Sequence, residues 1–182
     1  AIRGSRCLEL GSGSQALPGL VASVLGAKEV VVSDTGKDIV TLLNKNIKEN
    51  ASILQGSVRV VDYFWGKDTK PLGGPFDFIF VAEFGYIDEA MKPLVDCIRE
   101  CMHPSTVVLC SYGRNNRSID LFKSYADNFF DVQDVETDEW HPLYVDPECS
   151  VLILKKKEVE AEFQEGVRLK TRSRTSRLNG QS

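Results

Sequence analysis

A short apolar segment runs into a glycine-containing turn near the start of the chain. Residues 6–10 (Arg-Cys-Leu-Glu-Leu) precede a Gly-Ser-Gly sequence, and helical spacing of apolar residues begins at Leu17. Glycines here tolerate positive φ and let a ligand approach the backbone, and the following helix offers N–H groups. The spacing Gly11-x-Gly13-x-x-Ala16 also satisfies a dinucleotide pattern, and a plain strand-to-helix turn would have the same composition. The turn therefore indicates a nucleotide-type ligand without identifying it.

Two carboxylates flank this turn at the ends of predicted strands. Glu9 lies just before Gly11, and Asp34 closes the next β-branched segment, 18 residues after Ala16. Asp34 can accept both hydroxyls of a ribose, although it could instead cap the following helix. An acid at Glu9 disfavours a pyrophosphate and favours a cationic group. S-adenosylmethionine has an amino group, a sulfonium and a ribose but no phosphate, so it fits this pair of acids better than NAD does.

The elements that must position these residues alternate along the chain. Apolar periodicity predicts strands at residues 6–10, 29–33, 58–61, 76–82, 106–112, 129–136 and 150–156, and helices at 17–25, 38–50, 89–102 and 118–128. This alternation predicts an α/β, Rossmann-like fold with a seven-stranded, mostly parallel sheet and helices on both faces. No helix separates the last two strands, so the last strand is expected to be antiparallel. Ligands of such sheets bind at the carboxyl ends of the strands.

Length and charge indicate how the chain is organised. It has 182 residues, 42% hydrophobic and 26% charged, which is typical of one globular domain. The net charge is −4, yet residues 166–182 contain five basic residues and no acidic one. We expect a domain over residues 1–157 and a charged, disordered tail over residues 158–182. The part of the chain before residue 166 is therefore strongly acidic, which disfavours nucleic acid as a partner. No apolar run approaches the roughly 18 residues of a membrane-spanning helix.

The cysteines bear on compartment and on metal binding. Their number is five, which is odd, and they fall in apolar periodic segments. This pattern predicts reduced thiols and a cytoplasmic protein, with the nucleus as a second location. Cys97 and Cys101 lie close to His103 in the sequence, but their spacing fits no common zinc pattern, so no metal site is expected.

Four short motifs, taken in order, resemble one enzyme family. They are Leu-Glu-Leu-Gly-Ser-Gly at 8–13, Val-Ser-Asp at 32–34, Trp-Gly at 65–66 and Phe-Asp-Phe-Ile-Phe-Val-Ala-Glu-Phe-Gly-Tyr at 76–86. They resemble the seven-β-strand S-adenosylmethionine-dependent methyltransferases. The likeness is to the protein-lysine methyltransferases with Asp-x-x-Tyr after strand four, which include those acting on valosin-containing protein and on calmodulin. The resemblance covers about residues 6–157.

The resemblance implies a cofactor, S-adenosyl-L-methionine, and a set of residues that bind it. The set is Glu9, Gly11, Gly13, Asp34, Trp65 and Ala82. The two glycines would line the methionine part, with the first acid nearby. Asp34 would hold the ribose, and Trp65 would lie against the adenine. The alternative for Trp65 is a residue at the edge of the core.

The resemblance also implies a reaction, methylation of a lysine side chain in a protein, with a chaperone or an ATPase-type protein among the candidate partners. Glu83 and Tyr86 fall on the Asp-x-x-Tyr motif, which makes them the catalytic residues beside the acceptor lysine. A solvated loop acid and a packing aromatic are the structural alternatives for this pair.

Three departures from the family pattern keep other functions open. Glu83 is one methylene longer than the family aspartate, and the glycine turn lacks a third glycine. Members also carry a helical segment before strand one, so we expect this sequence to be N-terminally truncated. A cofactor-binding pseudo-enzyme or interaction module is therefore the first alternative. An NAD-dependent oxidoreductase, favoured only by the glycine spacing, is the second.

Overall fold

Strands and helices alternate in the computed structural model as the apolar periodicity predicts. The structure describes residues 1–113 and 117–157. The strands are β1 (Arg6–Leu10), β2 (Glu29–Asp34), β3 (Ser57–Asp62), β4 (Phe76–Ala82), β5 (Met102–Tyr112), β6 (Phe130–Asp134) and β7 (Ser150–Lys156). The helices are α1 (Leu17–Val24), α2 (Lys37–Asn50), α3 (Asp88–Glu100) and α4 (Ile119–Ala126). Every predicted element is present, whereas the tail expected at 158–182 lies outside the described residues.

The seven strands form one sheet in the order β3-β2-β1-β4-β5-β7-β6. Strands β1 to β5 pair in parallel, and β7 is antiparallel to both β5 and β6. The predicted mostly parallel sheet with an antiparallel last strand is therefore confirmed. The strand order changes direction between β1 and β4, and the carboxyl ends at such a switch point are where open α/β sheets bind ligands.

Successive side chains of the strands pack against two different layers of helices, as the two-residue period of a strand requires. Leu8 and Leu10 of β1 belong to a core built with α3 and α4. Cys7 of β1 and Val30 of β2 belong to a second core built with α1 and α2. Helices therefore cover both faces of the sheet, as predicted. Within the described part of the chain, no helix combines the length and apolar character needed to cross a membrane.

The largest boundary error of the sequence prediction lies between α3 and β5. The helix ends at Glu100 rather than at residue 102, and β5 begins at Met102 rather than at residue 106. The first residue of β4 explains the difference, because the N–H of Phe76 donates to the Cys101 carbonyl at 3.0 Å. The Thr106 hydroxyl donates in turn to the Phe76 carbonyl at 2.6 Å. Pairing with a neighbouring strand thus lengthened β5, and local periodicity cannot show such a partner.

Candidate functional site

The glycine turn joins β1 to α1 at the carboxyl edge of the sheet. Gly11 has φ +68° and Gly13 has φ +57°, both in the left-handed region that favours glycine. A Cβ added to Gly11 would lie 2.8 Å from Cζ2 of the Trp65 indole. The N–H of Ser12 donates to the Ser33 carbonyl at 3.0 Å and ties the turn to the end of β2. The missing side chain at Gly11 thus lets the indole approach the end of β1.

Asp34, at the end of β2, holds the glycine turn and also faces the cleft. Its Oδ2 accepts the N–H of Gly13 at 2.7 Å, and its Oδ1 accepts the N–H of Thr35 at 2.7 Å. Each carboxylate oxygen can accept more than one hydrogen bond. The half-buried side chain therefore still has acceptor positions for a pair of ligand hydroxyls.

Glu9 lies away from the cleft, in contrast to its expected position beside the cofactor. Glu9 is 1% exposed, and its Oε2 accepts a hydrogen bond from the N–H of Gly19 in the first turn of α1 at 2.7 Å. Ala16, which precedes the helix, has no side chain to cap that turn, so the Glu9 carboxyl satisfies this N–H group. Burial raises the Glu9 pKa to about 8, the Gly19 hydrogen bond opposes the rise, and the Asp34 charge adds to it. Strand alternation directs this side chain into the α1 layer.

A cleft of about 390 Å³ opens at the carboxyl ends of the central strands. Six of the eight residues that the sequence suggested line it: Gly11, Asp34, Trp65, Ala82, Glu83 and Tyr86. Glu9 and Gly13 are not part of its walls, although the N–H of Gly13 donates a hydrogen bond to Asp34. The structure thus brings residues from four separate strand ends to one place.

The walls of the cleft consist of apolar side chains with several carboxylates among them. Asp34, Glu83 and Glu89 contribute carboxylates, and no lysine or arginine of the described residues lines the space. Apolar surroundings lower the local dielectric and strengthen the field of these acids. The cleft therefore favours a cationic ligand and offers a pyrophosphate no counter-charge.

Glu83 directly follows β4 in an unusual backbone conformation. Its φ is +53°, which few residues other than glycine adopt. Its N–H donates to the Ser111 carbonyl at 2.9 Å, so the residue is held between the ends of β4 and β5. A Cβ added to Gly113 would lie 3.1 Å from Oε1 of Glu83 and 3.7 Å from Sγ of Cys149. The longer glutamate thus extends over the space that Gly113 leaves.

Tyr86 lies on the loop that leads into α3. The residue is 47% exposed, and its carbonyl accepts the Nε–H of Arg117 at 3.1 Å. The N–H of Ser118 donates to the Gly85 carbonyl at 2.8 Å, and the Ser118 hydroxyl donates to the carboxylate of Asp88. The loop with both candidate catalytic residues is therefore attached to the start of α4.

Part of the apolar wall escaped the sequence analysis. Phe64 is 62% exposed beside Trp65, and Ile87 and Pro93 also line the cleft. Pro93 also lies close to the backbone of Gly66. A Cβ added to Gly66 would lie 3.3 Å from the Cβ of Pro93. A signal was available, because Ile87, Ala90 and Pro93 recur every three residues and all line the cleft, and positions three apart are neighbours on a helix surface.

The two cysteines at the end of α3 belong to the core. Cys97 and Cys101 are both buried beside Tyr63, whose hydroxyl donates to the Lys67 carbonyl at 2.8 Å. Among the described residues, no three His, Cys, Asp or Glu side chains come together as a possible metal site.

Comparisons with known proteins point to one family of enzymes. A family model described as lysine methyltransferase matches residues 1–130. The chain is 32% identical over 149 residues to protein N-lysine methyltransferase METTL21A of Danio rerio, with 79% of this chain and 66% of that protein covered. It is 35% identical over 100 residues to calmodulin-lysine N-methyltransferase of Arabidopsis thaliana, with 53% and 33% covered. The chain thus spans between one third and two thirds of the length of these relatives.

Solved structures show the same fold. A methyltransferase from Pyrococcus furiosus superposes with a TM-score of 0.68 at 21% sequence identity, with 87% of this chain and 78% of that chain covered. At this level of identity the likeness concerns the architecture of the sheet and its helices.

Proposed function

We propose that this chain, which belongs to the lysine methyltransferase family, transfers a methyl group from S-adenosylmethionine to a lysine side chain of a protein. The composition of the cleft carries the proposal. Three carboxylates and no lysine or arginine of the described residues stand among its apolar walls at the switch point of the sheet. This environment suits both a sulfonium and an ammonium.

The residues in the cleft fit S-adenosylmethionine. Asp34 keeps acceptor positions for the two ribose hydroxyls. Trp65, Phe64 and Ile87 provide apolar surface for an adenine ring. The absent side chain at Gly11 lets the Trp65 indole lie against the end of β1, in the wall of the cleft. The bound cofactor supplies an electrophilic methyl carbon on a positively charged sulfur.

The acceptor side of the site has to handle a proton. A free lysine has a pKa near ~10.4, so its neutral form at pH 7 costs roughly 4–5 kcal/mol, at ~1.36 kcal/mol per pKa unit. Glu83 can hold the ammonium by a charge-assisted hydrogen bond and orient the nitrogen. Because Glu83 is exposed, the released proton has a direct route to solvent. Tyr86 forms a wall beside it and restricts where the lysine stem can lie.

The geometry disfavours the oxidoreductase alternative. A dinucleotide-binding fold places a pyrophosphate at the N–H groups that begin the first helix. Here one of those groups, the N–H of Gly19, already donates a hydrogen bond to the Glu9 carboxyl. The pseudo-enzyme alternative concerns catalysis rather than binding, so only a transfer assay separates it from the enzyme.

The acceptor class and the cellular location belong to the proposal as well. The name of the Arabidopsis relative specifies a lysine of calmodulin, and this supports a protein lysine as the acceptor. A chaperone or an ATPase-type protein remains the substrate class suggested by the sequence resemblance. A cytoplasmic or nuclear location agrees with the buried thiols of Cys7, Cys97, Cys101 and Cys110.

Calorimetry with S-adenosylhomocysteine tests the cofactor assignment. Asp34→Ala removes hydrogen bonds to a charged group, worth about 1.5–3 kcal/mol, so affinity should fall roughly tenfold to a hundredfold. Asp62→Ala is the matched control, because Asp62 pairs with Asp34 in register at the end of β3 but does not line the cleft. Unchanged binding by the Asp34 variant would refute the assignment.

A transfer assay tests the reaction itself. Labelled S-adenosylmethionine should methylate a protein lysine, detected by mass spectrometry as an added methyl on the side chain. Glu83→Gln should lower transfer while leaving S-adenosylhomocysteine affinity unchanged, since this residue faces the acceptor. Cofactor binding without any transfer would favour the pseudo-enzyme.

A further inference from the structure

The segment between β6 and β7, residues 135–149, forms a loop at the same edge of the sheet as the cleft; we call it the rim loop. Its two ends are fixed there, because the N–H of Val135 donates to the Val151 carbonyl at 2.9 Å and Ser150 pairs with Tyr112 at the end of β5. Near its second end, Sγ of Cys149 shares the space beside Gly113 with the Glu83 carboxylate. The rim loop therefore adjoins the acid that faces the acceptor lysine.

The rim loop presents three consecutive apolar side chains to solvent. Leu143 is 82% exposed, Tyr144 is 76% exposed and Val145 is 45% exposed. The first two belong to a 3₁₀ turn at Pro142–Tyr144, which begins where the N–H of Leu143 donates to Nδ1 of His141 at 3.3 Å. Exposed apolar side chains that adjoin a ligand cleft offer a surface on which a protein segment can dock.

Charge determines which partner suits this surface. The rim loop contains five acidic residues and no lysine or arginine. Three of the acids, Glu136, Asp138 and Glu139, are exposed around a first 3₁₀ turn. The nearest acid before the loop, Asp134, is already paired with Lys123 at 3.2 Å, so that lysine does not neutralise the loop. A polyanion such as nucleic acid would be repelled, whereas a basic peptide would be attracted.

We propose that the rim loop docks the substrate segment that carries the target lysine, and that it selects segments with basic residues around that lysine and an apolar residue for the Leu143–Val145 surface. The proposal rests on the proposed function, because it takes a protein lysine as the acceptor. Attraction between the acidic residues of the rim loop and basic residues of the segment determines which segments bind, and this attraction weakens with salt. Burial of the apolar residue adds binding free energy that does not depend on charge.

Peptide binding to the 182-residue chain loaded with S-adenosylhomocysteine tests the proposal. Two fluorescent peptides share one central lysine and one leucine, and differ in having arginine or glutamate at the flanking positions. Fluorescence anisotropy should show the arginine peptide binding at least about tenfold more tightly at low salt. The triple variant Glu136→Gln, Asp138→Asn, Glu139→Gln should lose most of this preference, and Leu143→Ser with Tyr144→Ser should weaken the binding of the arginine peptide.

A matched triple variant separates this surface from overall charge. Glu49→Gln, Asp127→Asn and Asp131→Asn neutralise three exposed acids away from the rim loop, and this variant should keep the preference. Equal binding of the two peptides, or the same loss in both triple variants, would overturn the proposal.

The transfer assay on the same peptides distinguishes the two hypotheses. Methylation of both peptides at equal rates would refute docking by the rim loop and leave the proposed function intact. Preferential binding without methylation of any protein lysine would support docking and contradict the proposed function.

Discussion

The buried carboxyl of Glu9 should make the stability of this fold depend on pH in the direction opposite to that of a salt-bridged acid. Burial raises its pKa from the ordinary value of 4.5 to about 8. Between these values the folded protein keeps a proton that the unfolded chain releases, so the free energy of unfolding falls as pH rises. At ~1.36 kcal/mol per pKa unit, the loss across this window is roughly 4–5 kcal/mol.

Two other acids affect stability in the opposite direction and in a different pH range. A hydrogen bond from Arg6 lowers the pKa of Glu29, and the backbone N–H of Arg6 lowers the pKa of Asp77. Their contributions are present above the ordinary carboxyl pKa and are lost as pH falls through the lowered folded-state pKa. Between pH 5 and 8, as a rough guide, Glu9 should therefore dominate the change.

The variant Glu9→Gln isolates this effect, because its amide oxygen can still accept the N–H of Gly19 but cannot ionise. Denaturant unfolding from about pH 5 to 8.5 gives the free energy of unfolding of both proteins. As pH rises across this range, the free energy of unfolding of the variant should increase relative to that of the original protein by roughly several kcal/mol. Glu49→Gln, at an exposed position, should show no such gain. Parallel curves for the Glu9 variant and the original protein would refute the reasoning.

Two further predictions concern glycines that make room for acidic side chains. Gly19→Ala would place a methyl group 2.7 Å from Oε2 of Glu9. The melting temperature should therefore fall by an amount that corresponds to about 1–3 kcal/mol of stability. A variant as stable as the original protein would show that α1 can shift to make room for the methyl group. Gly113→Ala would place a methyl group 3.1 Å from Oε1 of Glu83, which should slow transfer about tenfold without affecting S-adenosylhomocysteine binding. Adding Glu83→Asp should restore part of that rate, since the shorter acid avoids the methyl group; a double variant as slow as the slower single variant would contradict the coupling.

Local pattern in the sequence was sufficient for the elements, and the family resemblance supplied most of the suggested site residues. Strand and helix periods predicted every element, and the missing helix before the last strand predicted its antiparallel direction. Six of the eight suggested site residues line one cleft. These residues come together because Asp34 ends a strand and Glu83 directly follows one, and the carboxyl ends of parallel strands meet at one edge of a sheet.

Contacts between distant parts of the chain were decided only by the tertiary structure. The placement of β4 beside β1 creates the switch point, and no local pattern contains that order. Glu9 looked like a ligand-facing acid, but strand alternation and the uncapped start of α1 direct its carboxyl inward. The rim loop, likewise, lies near Glu83 only because β7 pairs with β5. Sequence patterns report the conformation of neighbouring residues, whereas the direction and surroundings of a side chain depend on segments that fold against it from far along the chain.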